Sequence, residues 1–145
     1  MPAEKVGPSQ RLLFSAIGLL AGDAALLIFL LLPRVQLGPR HLALPWDVLV
    51  LYAIFSIIGW ALVGVPVTLA FPAPVLSRTP WPICLLIGAA LGPLALLLIL
   101  LVLGALQGAL FTFSLDHTAA LWPLSILISS VAFLTYAALL ARRLR

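Results

Sequence analysis

Long apolar runs recur along almost the whole chain and constrain its fold more than any other feature. Hydrophobic residues make up 64% and charged residues 8% of the 145 residues, whereas a soluble domain is about 45–50% apolar and about 25% charged. A run of about 20 apolar residues crosses the hydrocarbon core of a bilayer as an α-helix, which satisfies its backbone polar groups internally. The sequence therefore predicts an all-α polytopic membrane protein and excludes a soluble globular fold.

Four spans are predicted, and prolines stand at nearly every boundary between them. Proline lacks the N–H that a continuing helix needs, so we expect Pro33 to stop the first span and Pro72 to stop the second. The chain then forms one transmembrane domain, a bundle of four helices with short tails at residues 1 to 11 and 141 to 145. The spans cover residues 12 to 32, 48 to 71, 83 to 106 with an extension to 113, and 124 to 140.

The third span is unusually long. Residues 83 to 113 would extend about 46 Å as a helix, well beyond a hydrocarbon core of about 30 Å. The helix must therefore tilt, kink or project from the membrane. Pro93 can kink it, and we expect Gln107 to mark where the chain leaves the deep core. Pro66 predicts a comparable break in the second span, because it frees the carbonyl of Leu62. Broken spans line substrate sites in transporters, but isolated prolines are also accommodated locally in ordinary membrane helices.

Lysine and arginine near the span ends predict the orientation of the chain. With both termini on one side, six cations lie on that side and two, Arg34 and Arg40, lie on the other. An excess of Lys and Arg marks the cytoplasmic side of a membrane protein. We therefore predict cytoplasmic termini and a location in a bacterial inner membrane or its equivalent. The six cations are Lys5, Arg11, Arg78, Arg142, Arg143 and Arg145.

Glycines four residues apart form the most regular motif. Small residues at this spacing share one helix face and let helices approach closely, which favours association in lipid. We expect these glycines to hold the bundle together. One pair is also a candidate for contact with a second copy or with a partner membrane protein. The pairs are Gly18 and Gly22 in the first span, and Gly88 with Gly92 and Gly104 with Gly108 in the third.

Asp23 lies near the middle of the first span, beside Gly22. An aspartate at that depth costs about 2.5–3.5 kcal/mol on insertion scales, and no Lys, Arg or His stands inside a span to neutralise it. A neutral, hydrogen-bonded carboxyl is therefore expected. The alternative is a proton or cation site that titrates during transport. Candidate hydrogen-bond partners on other helices are Ser56, Ser129, Ser130 and Thr135.

The outline of four spans with a carboxylate in the first resembles that of the small multidrug resistance antiporters. Those proteins are compact proton-coupled dimers that use a glutamate, are shorter than this chain and lack a third helix of this length. The resemblance implies a proton-coupled role for Asp23, and no other residue is carried over from it.

The second span contains LYAIFSIIGWALVG, whose Tyr52, Ser56 and Gly59 recur at helical spacing on one face. Ser56 meets Asp23 if the first two spans are neighbours. Trp60 lies deep in the span rather than at the membrane interface, so its indole N–H needs an acceptor. The predicted polar site therefore consists of Asp23, Ser56 and Trp60.

Other kinds of chemistry lack their usual residues. Cys84 is the only cysteine, which excludes an intramolecular disulfide and a two-cysteine metal or redox site. The polar residues of the predicted outer loops, including His41, Asp116 and His117, show no metal-ligand spacing, and no hydrolase, P-loop or dinucleotide motif occurs. We predict no enzyme activity, no metal and no cofactor. The cations flank the spans, which favours contact with lipid headgroups over nucleic acid.

Two functions remain. The leading hypothesis is a non-catalytic subunit, stabiliser or assembly factor that packs in the bilayer against itself or a membrane-protein partner. The alternative is a small ion- or proton-coupled transporter or channel that uses Asp23.

Overall fold

The structure is a computed structural model that describes residues 6 to 37, 46 to 106 and 121 to 144, apart from the side chains of residues 33 to 37, 47, 48, 51 and 106. All regular structure in these residues is helical. Four segments are long and apolar enough to cross a membrane: Pro8–Leu32, Tyr52–Ala70, Trp81–Ala105 and Leu121–Arg143. The prediction of an all-α membrane protein with four spanning helices is confirmed.

The first span is helix α1 (Pro8–Leu37). Proline suits the first helical position because its missing N–H would have no partner there, and the first backbone bond runs from the Arg11 N–H to the Gly7 carbonyl at 3.1 Å. The helix continues through Pro33, so the expectation that Pro33 stops it is wrong. A proline removes one backbone hydrogen bond, whereas unwinding the helix in lipid would expose several polar groups.

The second span contains a widened turn. Helix α2 (Trp46–Gly59) continues through the π-helical turn Trp60–Gly64 into helix α3 (Val65–Ala70). Within the turn the Val65 N–H donates to the Trp60 carbonyl, five residues earlier. The shift in hydrogen-bonding register comes directly before Pro66, which has no N–H to donate. The predicted break at Pro66 is therefore a π-helical turn inside a continuous helix.

The remaining elements are the short helix α4 (Ala73–Arg78), helix α5 (Trp81–Leu106) and helix α6 (Leu121–Arg143). Helix α4 lies between two prolines and was not expected from the sequence. Helix α5 is continuous through Pro93. The predicted extension of the third span beyond residue 106, including Gln107, lies outside the described residues.

Helix α6 is the central element of the bundle. Helices α1 and α5 pack closely along it, whereas the second span contacts its neighbours more sparsely. Helix α1 begins, and helix α6 ends, at one end of the bundle, which we call the terminal end. The main buried cluster lies there, where α4 and the start of α5 meet the last turns of α6. It consists of Ala73, Leu76, Cys84, Phe133, Tyr136, Ala137 and Leu140.

Candidate functional site

The glycines of the first span lie directly against α6. A Cβ added to Gly18 would lie 2.4 Å from the carbonyl oxygen of Ala132, and one added to Gly22 would lie 2.5 Å from that of Ile128. Carbon atoms do not approach an oxygen so closely without a shift of the backbone. Both positions therefore require glycine for the observed contact between α1 and α6.

Two glycines of the third span lie against the same helix. A Cβ on Gly88 would lie 2.7 Å from the Ser130 Cα, and one on Gly92 would lie 2.2 Å from the Ser125 carbonyl oxygen. Four of the six motif glycines therefore pack within the chain. The two motif glycines that remain for contact with a second copy or a partner are Gly104 and Gly108. Gly104 is partly exposed, and Gly108 lies outside the described residues.

Asp23 and Ser56 form a direct contact between the first two spans. The Ser56 hydroxyl donates a hydrogen bond to the Asp23 Oδ1 at 2.7 Å. Both residues are partly buried. Among the serines considered as partners, Ser129 donates to the carbonyl oxygen of Ser125 on its own helix at 2.7 Å. Ser130 packs at Gly88, and its hydroxyl is buried without a partner among the described residues.

Trp60 makes a separate polar contact nearer the terminal end. Its Nε1 donates to the Ser15 Oγ at 3.2 Å, and Ser15 in turn donates to the Leu12 carbonyl at 2.9 Å. The indole also covers Gly64, where an added Cβ would lie 2.7 Å from the Trp60 Cδ1. The structure therefore brings Ser56 to Asp23 and brings Trp60 to Ser15, so the three predicted site residues form two contacts between the same pair of spans.

A cleft of about 250 Å³ opens beside Asp23, between α1 and α2. We call it the aspartate cleft. Its wall is apolar except for Asp23 and the polar atoms of Trp46 and Tyr52. The cleft reaches from mid-span to Trp46, the first residue of α2, and thus toward the end of the bundle opposite the terminal end. Its lining residues are Asp23, Leu26, Leu27, Trp46, Leu49, Val50, Tyr52 and Ala53.

A second, partly open cavity of about 160 Å³ lies between the second span and the other three. We call it the central cavity. Ser56 and Tyr52 both line it, and Tyr52 also lines the aspartate cleft. The pair formed by Asp23 and Ser56 therefore stands between the two spaces.

Arg11 caps the end of the second span. Its Nη2 donates to the carbonyl oxygens of Thr68 and Phe71. The Thr68 carbonyl would receive the N–H of residue 72 in a continuing helix, but that residue is Pro72 and has none. An arginine that the sequence suggests only as a topology signal thus replaces a missing backbone donor.

Sequence reasoning missed Ser15 and this role of Arg11, although signals for both exist. Ser15 and Asp23 are the only polar side chains in residues 12 to 32, and a deep tryptophan in the next span needs an acceptor. Pro72 leaves an unpaired carbonyl four residues earlier, for which a nearby cation is a natural donor.

No cluster of three or more His, Cys, Asp or Glu side chains that could hold a metal occurs within the described residues. His41, Asp116 and His117 lie outside them. Cys84 is buried, with its Sγ 3.7 Å from the Thr79 carbonyl oxygen. Comparisons with protein-family models, with curated proteins and with solved structures find no match to this chain. The functional interpretation therefore depends on the geometry of the site.

Proposed function

We propose that this chain is a small ion-coupled membrane transporter or channel in which Asp23 binds a proton or a small cation inside the bundle. One observation carries the proposal. A carboxyl near the middle of a span lines a cleft of about 250 Å³ and is oriented by the Ser56 hydroxyl at 2.7 Å. Ionisable residues at this depth commonly mark ion or proton pathways.

The predicted spans contain no positively charged side chain that could pair with Asp23, and this limits the states of its carboxyl. An ionised carboxylate in a membrane needs a positive charge within reach, whereas a protonated carboxyl does not. Residues 12 to 32, 48 to 71, 83 to 106 and 124 to 140 contain no Lys, Arg or His. Asp23 is therefore either protonated or paired with a mobile cation, and in the proposed transport cycle a proton and a cation compete for its oxygen atoms.

The second span supplies the element that can change access to Asp23. It packs more sparsely than the other spans, and it contains the π-helical turn Trp60–Gly64. Such turns are frequent at functional sites. A movement of α2 about this turn would open Asp23 from the aspartate cleft toward the central cavity, past Tyr52 and Ser56.

Flux measurements on the purified chain in liposomes test the proposal. We expect an imposed Na⁺ or K⁺ gradient to drive proton movement, read by an internal pH-sensitive dye. Asp23→Asn should abolish this flux, because an amide accepts the Ser56 hydrogen bond but does not titrate. Asp23→Glu should retain part of it.

Folding of each variant is checked by gel filtration and circular dichroism in mild detergent. Ser56→Ala is the matched variant: it removes the orienting hydroxyl and should reduce the flux while leaving it proton-coupled. Absence of flux for the wild-type chain in both gradients, or equal flux for the wild type and Asp23→Asn, would contradict the proposal.

A further inference from the structure

We propose that the terminal end of the bundle binds anionic phospholipid headgroups through the exposed guanidinium groups of Arg78 and Arg142. The site is separate from Asp23 and goes beyond the proposed ion coupling. The sequence suggests only that the cations flanking the spans contact headgroups. The fold brings two of these cations, from different helices, to one buried cluster at which helix α4 lies.

Helix α4 has one face against the bundle and one face away from it. Ala73 and Leu76 are buried and pack at the last turns of α6. Residues three or four apart share a helix face, and Val75 and Arg78, three apart, are both exposed. The outward face of α4 therefore combines an apolar side chain with a positive charge.

Two exposed aromatic side chains flank α4. Phe71 follows the last residue of α3, and Trp81 is the first residue of α5, and both are exposed. The segment between them connects the second and third spans. Aromatic rings prefer the membrane–water interface, and a short segment with an apolar and a basic face lies in that interface. Helix α4 is therefore at the depth of the lipid headgroups.

The two arginines stand beside the same buried cluster. Arg78 follows Leu76 by two residues, and Arg142 follows Leu140 by two residues, and both leucines belong to the cluster at the terminal end. Both arginine side chains are exposed. Arg11 lies at the same end, but its Nη2 donates to backbone carbonyls. Arg78 and Arg142 therefore present their charges to the headgroup layer.

The charge of this end favours an anionic ligand. The described residues of the terminal end, 6 to 14, 68 to 84 and 133 to 144, include no Asp or Glu. The phosphate of an anionic lipid supplies a negative charge, and the planar fork of arginine matches its oxygen atoms. A zwitterionic lipid carries its own ammonium group, which offsets that attraction. Each arginine near the surface should favour anionic lipid by about fivefold in affinity.

Trp81 and Trp46 can report on the two ends of the bundle. Trp81 begins α5 at the terminal end, Trp46 begins α2 at the other end, and both are exposed. Lipids brominated in their acyl chains quench tryptophan fluorescence on contact. The probe is brominated phosphatidylglycerol in a phosphatidylcholine bilayer, and the neutral reference is brominated phosphatidylcholine in the same mixture. In each reporter chain the other three tryptophans are replaced by phenylalanine.

We expect quenching of Trp81 to show phosphatidylglycerol enriched severalfold over its bulk fraction, with an enrichment at Trp46 about threefold smaller. Arg78→Gln and Arg142→Gln should each lower the enrichment at Trp81 by about twofold to fivefold. Arg78→Lys is the matched control and should keep most of it, because an ammonium group also binds phosphate. Both positions are exposed, and folding of each chain is checked by circular dichroism and gel filtration.

Equal enrichment at Trp81 and Trp46 would overturn the site. So would wild-type enrichment at Trp81 in both glutamine variants, or an equal loss in Arg78→Lys and Arg78→Gln. The measurement reads lipid contact and not ion flux, so its outcome is independent of the proposed transport.

Discussion

Replacing Gly92 by alanine tests whether close packing against α6 holds the bundle together. The added Cβ would lie 2.2 Å from the Ser125 carbonyl oxygen and 2.7 Å from its carbonyl carbon, both backbone atoms. Ordinary van der Waals contact begins at 3.4 Å, so α5 and α6 must separate locally by about 1.2 Å. The backbone of a packed helix has no rotamer with which to avoid this contact.

The same substitution at Gly59 is the matched control. A Cβ there would lie 3.3 Å from the Ala95 Cβ and 3.7 Å from the Ile99 Cδ1, which requires only a small adjustment. Overpacking costs about 1–3 kcal/mol. Alanine is more favourable than glycine in a helix by about 0.5–1 kcal/mol, and this gain is common to both variants. We therefore expect Gly92→Ala to be less stable than Gly59→Ala by about 2 kcal/mol.

The assay is unfolding of the purified chain in mixed detergent micelles, followed by circular dichroism as the fraction of denaturing detergent rises. Comparing the two variants cancels the effect of alanine on helix propensity. Equal stability of Gly92→Ala and Gly59→Ala would refute the close contact between Gly92 and Ser125.

Two further contacts give predictions with their own controls. Arg11→Gln should lower stability in the same assay by about 1–2 kcal/mol, because hydrogen bonds to charged groups contribute about 1.5–3 kcal/mol and Arg11 is partly exposed. Arg78→Gln removes the same charge from an exposed position and should change stability little. An equal loss of stability in both variants would mean that Arg11 acts only through the net charge of the protein and not through its hydrogen bonds. Trp60→Phe and Ser15→Ala should show a coupling energy of about 1 kcal/mol in a double-mutant cycle, and strict additivity would argue against their hydrogen bond.

Much of the architecture was predictable because its causes are local. A span of apolar residues forms a helix in lipid whatever its neighbours are, since no other structure satisfies its backbone there. The boundaries were less predictable, as Pro33 and Pro66 illustrate. Each proline loses one hydrogen bond, and the surrounding helix accommodates that loss by continuing or by widening a turn.

The candidate site was predictable in its residues and only partly in its contacts. Asp23 stands out because a carboxyl in an apolar run is costly, and Ser56 was one of four possible partners. The selection of Ser56 depends on the second span lying beside the first. The acceptor of Trp60 depends on the same arrangement.

The sequence by itself determined that the chain forms four membrane-spanning helices and which few polar side chains lie inside them. Only the tertiary structure decided that α1 and α5 both pack on α6, that four glycines are used there, and that the second span leaves two cavities beside Asp23 and Ser56. The reason is that apolar residues cover every face of these spans. Hydropathy therefore carries no information about which faces meet, and the neighbours are selected by shape and by a few hydrogen bonds.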